Sequence, residues 1–216
     1  MKFFTIIKEN STRVPGKNFV DLGGIPLWKH VIFELKDQDV YIDTDSKIIL
    51  DECEDLDWVK AYPRMQHHID LESDKNFLVS PVLSMIWNFL ENYVVDEDEV
   101  IVTTHVTSPF IKLKTILEAS LKLKEGYDSV VSCTKHQEFS YFKGKPINFN
   151  PEVVQKTQDL EPIVMNNGAF FIFTKKTFIK KMNRIGNNPF FYQLSLPELI
   201  EIDNLEDLEV ARKFID

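Results

Sequence analysis

Cysteine is nearly absent from this chain. Cys53 and Cys133 are the only two, far apart and in no C-x-x-C pattern. That excludes a disulfide framework and a cysteine-built zinc site, and it fits the reduced thiols of a cytosolic protein. Glycine is also scarce, with seven residues, and neither GxxxxGK[ST] nor GxGxxG occurs. A P-loop and a dinucleotide fingerprint are thereby excluded. Positive charge is in deficit: 25 Lys and Arg stand against 34 Asp and Glu, a net charge of −9. Such a chain is not built to coat nucleic acid or an anionic membrane. Long apolar runs are missing too. The longest, "FLVSPVLSMIWNFL" (77–90), is broken by Ser, Pro and Asn, and is shorter than the roughly 20 residues a bilayer requires. The opening "MKFFTII" is too short an apolar stretch for a secretory signal before Lys8 and Glu9. The expectation is a soluble cytoplasmic protein, with no nucleic acid and no membrane as partner.

What is present is one core's worth of apolar residues, 44% of 216, expected to form a single domain over 1–216. Strand and helix patterns alternate. Strands are expected at 3–7, 39–43, 99–106, 127–134, 168–173 and 199–203. Helices are expected at 26–36, 45–56, 75–93 (bent near Pro81), 113–126 (closed by Gly126), 175–182 and 205–215. Alternating βα units predict a mostly parallel sheet with helices on both faces. Ligands of such sheets bind beyond the carboxyl ends of the strands. That rule selects the loops 8–18, 43–46, 104–110 and the stretch after Glu201.

The first of these loops, "KENSTRVPGKNF" (8–19), is unexpectedly basic for so acidic a chain. Lys8, Arg13 and Lys17 supply charge, Ser11 and Thr12 supply hydroxyls, and Gly16 permits a tight turn. Behind a first strand this composition suits a small anion, above all a phosphate. A solvated basic loop is the alternative that composition alone leaves open.

The order of residues narrows the choice. "KENSTRVPGKNF" followed by "LGGIPLWKHVI" resembles the signature of the sugar-activating cytidylyltransferases: the CMP-sialic acid synthetases (acylneuraminate cytidylyltransferases) and their 3-deoxy-octulosonate relatives. "IDTD" (42–45), "HVTSPF" (105–110), "NNGAFFIF" (166–173) and "EIDNLEDLEVA" (201–211) are similar to that family's later motifs and follow in the same order. The resemblance implies a Rossmann-like, three-layer α/β/α nucleotidyltransferase fold of glycosyltransferase-A-like kind, with a mostly parallel sheet and a small protruding arm.

It also implies a reaction. A sugar hydroxyl attacks the α-phosphate of CTP and pyrophosphate leaves, with Mg²⁺ as cofactor and a CMP-sugar for surface glycan biosynthesis as product. By position, Lys8 and Lys17 match the residues that meet the triphosphate. Ser11, Arg13, Asn18 and Arg64 match nucleotide contacts. His105, Thr107, Ser108, Gln158 and Asn167 fall where the sugar binds. Asp203 matches a catalytic, metal-binding Asp, and Glu201 stands where the family has a second Asp. One residue apart on an expected strand, Glu201 and Asp203 would share one side, as a two-carboxylate Mg²⁺ site requires; capping of the last helix is the other role open to Asp203. His67 and His68, with no third ligand nearby in sequence, read as exposed loop residues.

Some features differ from the family. Thr157 and Met165 occupy places where sialic acid synthetases often carry Arg for the sugar carboxylate, and only Lys156 is near. Residues 135–166 break the βα rhythm. In the family a comparable arm pairs with a second subunit, which implies a homodimer, and Phe139, Tyr141, Phe142 and Phe149 suit such a contact; a lid over the sugar site in a monomer is the alternative. Two further functions stay open on sequence: nucleotidyl transfer to another sugar or sugar phosphate, and a nucleotide-binding module with weakened catalysis. The sugar-1-phosphate signature GxGTRLxPxTxxxPK is missing, and Asp43-Thr44-Asp45 has the form of a glycosyltransferase DxD.

Overall fold

The computed structural model describes residues 1–11, 14–74 and 79–215. In chain order its elements are β1 (Lys2–Ile7), β2 (Asp21–Leu22), β3 (Ile25–Pro26), α1 (Leu27–Glu34), β4 (Asp39–Thr44), α2 (Lys47–Cys53), β5 (Val59–Pro63), α3 (Gln66–Ser73) and α4 (Val82–Tyr93). There follow β6 (Val100–Thr104), α5 (Leu113–Ser120), β7 (Ser129–His136), β8 (Tyr141–Phe142), β9 (Lys145–Pro146), β10 (Ile163–Thr174), α6 (Lys175–Lys181), β11 (Pro189–Gln193) and α7 (Leu205–Arg212). Seven strands form one sheet in the order β11-β7-β10-β6-β1-β4-β5. All run parallel except β10, which is antiparallel to both neighbours.

Strand parity sorts the core into two layers. Phe3, Ile7, Ile42, Val102, Phe170 and Ile172 pack with α1, α2 and α5 through Trp28, Val31, Ile49 and Ile116. Phe4, Ile101, Phe171 and Phe173 face the other way, against Met85, Ile86 and Phe89 of α4 and Phe178 of α6. Phe4 stacks on Phe89 at 4.6 Å between ring centres. Strands buried on both faces must read as continuous apolar runs, as β1 and β6 do. Pairing of Ile7 with Thr44, and of Thr5 with Thr104, brings the carboxyl ends of β1, β4 and β6 together.

Several expectations need correction. The segment 199–203 joins no strand; it is an irregular connection whose Ile202 N–H donates to Thr107 O at 2.7 Å. The long helix begins only at Val82, with Pro81 ahead of it; residues 75–78 of that expectation lie outside the described residues. His67 and His68 lie on helix α3 rather than in a loop, and His68 is buried. The strands β5 and β11 were not expected. Both are short partners at the sheet's two edges, each with a Pro at one end and partly exposed throughout, so neither carries an apolar period. Within 135–166, β7 extends to His136, β8 and β9 form a two-residue ladder, and β10 starts at Ile163.

Candidate active site

The first loop is shaped at both ends. Gly16 sits in the left-handed region at φ 63°, and the turn it makes starts a 3₁₀ segment, Lys17–Phe19. Asn18 Nδ2 donates to Lys8 O at 2.8 Å, closing the loop on itself. Glu9 N–H donates to Asp45 Oδ1 at 2.7 Å, which ties the loop to the end of β4. Ser11 is partly exposed within it. Arg13 and Thr12 lie outside the described residues.

Lys17 does not reach into solvent. It is buried, and its Nζ donates to Ile202 O at 2.9 Å and to Asp203 Oδ1 at 3.0 Å. The basic residue of the first loop and the acidic residue of the last motif therefore meet across 186 positions of sequence. A buried ammonium with a carbonyl and a carboxylate as acceptors is fixed in place, as a group that compensates charge must be.

Glu201 and Asp203 flank buried Ile202, and both are partly exposed. The alternation expected of a strand thus survives without a strand. Capping of α7 falls to Asn204, whose side chain accepts from Asp207 N, while Asp207 Oδ2 accepts from the N–H groups of both Asp203 and Asn204. Capping is therefore not the work of the Asp203 carboxylate. Glu201 Oε1 is 3.9 Å from His105 Nδ1. Gly168 makes this approach possible: at φ +75°, a Cβ there would stand 3.3 Å from His105 Nδ1 and 3.4 Å from Glu201 Oε1. It lies in the register shift between Asn166 and Phe171, where β10 leaves its ladder with β7.

His105, Thr107 and Ser108 follow β6 directly. Thr107 holds the 199–203 segment through its carbonyl, and Ser108 is buried, its hydroxyl without a partner. Asn167 is half-buried and its Nδ2 likewise lacks a partner. Gln158 stands apart, exposed on the 3₁₀ turn Thr157–Asp159.

Arg64, expected as a nucleotide contact, is turned inward. Its side chain is 0% exposed; Nε donates to Asp43 Oδ1 at 2.6 Å, Nη1 to Glu72 Oε2 at 2.8 Å, and Nη2 to the carbonyls of Ile7 and Asp43. A guanidinium so occupied braces the ends of β1 and β4. Burial pushes the Asp43 carboxyl above its usual range, against the pull of Arg64. Glu72 also accepts Lys8 Nζ at 2.7 Å. In the sequence Asp43 stands out only as part of the DxD-like Asp43-Thr44-Asp45, and Glu72 not at all; α3, which carries Glu72, has too polar a pattern to signal a helix.

Among the described residues no three metal-ligating side chains converge. Mg²⁺ asks for no more than one or two carboxylates beside phosphate oxygens and water, and Asp203 with Glu201 offers that donor set.

An open sheet with a basic loop after β1 and the acidic residue Asp203 meeting it is the fold of the nucleotidyltransferases. It is similar to 4-diphosphocytidyl-2C-methyl-D-erythritol synthase (TM-score 0.65, 8% identity, covering 100% of this chain and 99% of that one). It is similar also to CMP:2-keto-3-deoxy-manno-octonic acid synthetase solved with CTP (TM-score 0.62, 14% identity, 98% and 96%). The chain belongs to the Cytidylyltransferase family, whose pattern it matches over residues 8–168. It is 28% identical to N-acylneuraminate cytidylyltransferase A of Danio rerio over 96% of its own length and 49% of that protein. It is 24% identical to N-acylneuraminate cytidylyltransferase of Streptococcus agalactiae serotype III (strain NEM316), over 93% and 49%. The chain thus spans about half the length of these relatives. Against CMP-N,N'-diacetyllegionaminic acid synthase of Legionella pneumophila it is 27% identical over 100% of its length and 97% of that protein.

Proposed function

We propose that this chain transfers a cytidylyl group from CTP to a sugar acid of the acylneuraminate or nonulosonate class. The observation that carries the reading is the Lys17 ammonium of the loop after β1, held on Asp203 and Ile202 O. The family and the names of its relatives support cytidylyl transfer over another nucleotide chemistry.

The sugar hydroxyl oxygen forms a bond to the α-phosphorus as the bond from that phosphorus to the bridging oxygen breaks. Pyrophosphate leaves and the hydroxyl proton passes to water. Lys17 lies where charge accumulates on the triphosphate, and Lys8 adds a second cation at the loop's start. Asn18 and Ser11 shape the loop against the nucleotide. Asp203 and Glu201 would hold Mg²⁺, which when bound offsets phosphate charge. His105, Thr107, Ser108 and Asn167 border the space left for the sugar. Arg64 acts through the backbone it braces. The reaction is cytoplasmic in this reading, and the active form is a homodimer.

The test is pyrophosphate release from purified protein with CTP, Mg²⁺ and a panel of nine- and eight-carbon sugar acids. Release with CTP and one of these acids is expected. Preference for UTP or GTP would sink the cytidylyl reading. CTP binding without release from any sugar would make the chain a binding module instead.

A further inference from the structure

The sequence poses a difficulty that the structure resolves. A sugar acid carries a carboxylate, and the stretch before Gly168 provides no Arg to receive it. Elsewhere, among the described residues, one arginine lacks an anion. Arg184, in the loop after α6, lies with its guanidinium 3.5 Å from the centre of the Phe171 ring. It makes no hydrogen bond or ion pair among the described residues, although burial pushes its pKa down to about 10. The half-buried guanidinium rests on an aromatic face, and its planar fork suits a carboxylate bidentately.

The surroundings point the same way. Arg184 lines a small cavity together with Thr5, Thr103, Thr104 and His105, closed below by Phe4 and Ile86. The hydroxyls of Thr103 and Thr104 are buried and unpartnered. His105 also leans on Phe171, with 6.4 Å between ring centres, so guanidinium and imidazole are within about 10 Å of one another. The cavity shares His105 with the His105–Glu201 pair and lies at the carboxyl end of β6, against Val82 and Ile86 of α4.

We propose that Arg184 binds the carboxylate of the sugar acid, with the Thr103 hydroxyl as an added donor and His105 at the edge of the same pocket. The inference rests on the proposed function for the nature of the ligand. Arg184 thereby substitutes, from another element, for the arginine missing before Gly168, and sets specificity for acids over neutral sugars.

Calorimetry tests it with two probes, N-acetylneuraminic acid and its methyl ester, in the presence of CTP. The wild-type chain should prefer the acid by roughly 10- to 100-fold. Arg184→Gln should lose that preference, Arg184→Lys should keep part of it, and CTP affinity should not change in either. Retention of the preference in Arg184→Gln would overturn the proposal, as would equal binding of acid and ester by the wild type, or binding of neither. So would a loss of CTP affinity matching the loss of acid, since Arg184 would then only support Phe171. Acid binding that depends on Arg184 without any pyrophosphate release would leave this inference standing and remove the proposed activity, so the two fail separately.

Discussion

Lys17 is a foundation of the fold and, in the proposed reaction, also a tool. Its ammonium is buried and satisfied by Ile202 O and Asp203 Oδ1, so its position is set before any nucleotide arrives. Lys17→Ala should lower kcat by about 10²- to 10³-fold, the usual effect of removing one preorganised donor. It should also weaken the fold by roughly 1.5–3 kcal/mol for lost hydrogen bonds to a charged group. Turnover at saturating CTP, with a urea melt of the same protein, separates the two effects; unchanged kcat would remove Lys17 from catalysis. Arg64 is the contrasting case. Arg64→Ala leaves Asp43 buried without its cation, and that should cost about 3–5 kcal/mol. Chemical denaturation should show this loss, while any activity remaining should keep its KM for CTP. The sequence put Lys17 in the loop behind β1 and Asp203 in the stretch after Glu201, and the fold brings these two segments together, although the strand expected at 199–203 does not form. It gave no hint that Arg64 turns inward, because burial of a long charged side chain depends on partners, Asp43 and Glu72, that only the fold assembles.

At the scale of elements, legibility followed burial. β1, β4 and β6, covered on both faces, announce themselves as apolar runs. The polar helix α3 does not, since His68 is its only fully buried residue. That residue nevertheless joins α3 to α4. Its Nε2 lies 2.8 Å from Ser84 Oγ, whose own proton goes to Pro81 O at 2.9 Å. The network therefore assigns the imidazole proton to Nε2, donating to Ser84. Nδ1 is left buried without a partner, so a second proton there would have no acceptor. Burial, with the neighbouring His67 and Arg64 adding to it, holds the His68 pKa below its usual value of 6.5. A depressed folded-state pKa means that the unfolded chain takes up protons first. Stability from this group is complete above about pH 6.5 and falls as the pH drops through the folded-state value. Thermal melts from pH 7.5 to 5 should show a decline that is shallower in His68→Gln; equal slopes would place the pH sensitivity elsewhere. The segment 199–203 failed in the opposite way. "LIEID" has a strand's composition, but Ile202 N–H is taken by Thr107 O and no strand lies alongside. Composition shows that a segment favours extension, not whether the topology leaves it a neighbour.

The whole molecule poses a question that the single chain does not answer by itself. Its central sheet is well covered, yet the segment after β7 displays apolar side chains to water: Tyr141 is 63% exposed, Phe142 64% and Val154 100%. Phe149 packs edge-on against both Phe139 and Tyr141, so the arm has a small core of its own and a definite shape. An exposed apolar patch on a shaped arm is how a subunit contact looks when one partner is removed, and here it accords with the homodimer proposed above. Light scattering on the eluting protein should therefore give twice the 25.2 kDa of one chain. Phe142→Glu with Val154→Glu should return it to a single chain. Neither side chain contributes to the packed layers of the sheet, so the variant's melting temperature at low concentration should match that of the dissociated wild type. A wild-type chain that stays monomeric at tens of micromolar, or a double variant that still elutes as a pair, would make the arm a cover for the sugar site within one chain. In that event the same substitutions should raise KM for the sugar and leave the mass unchanged.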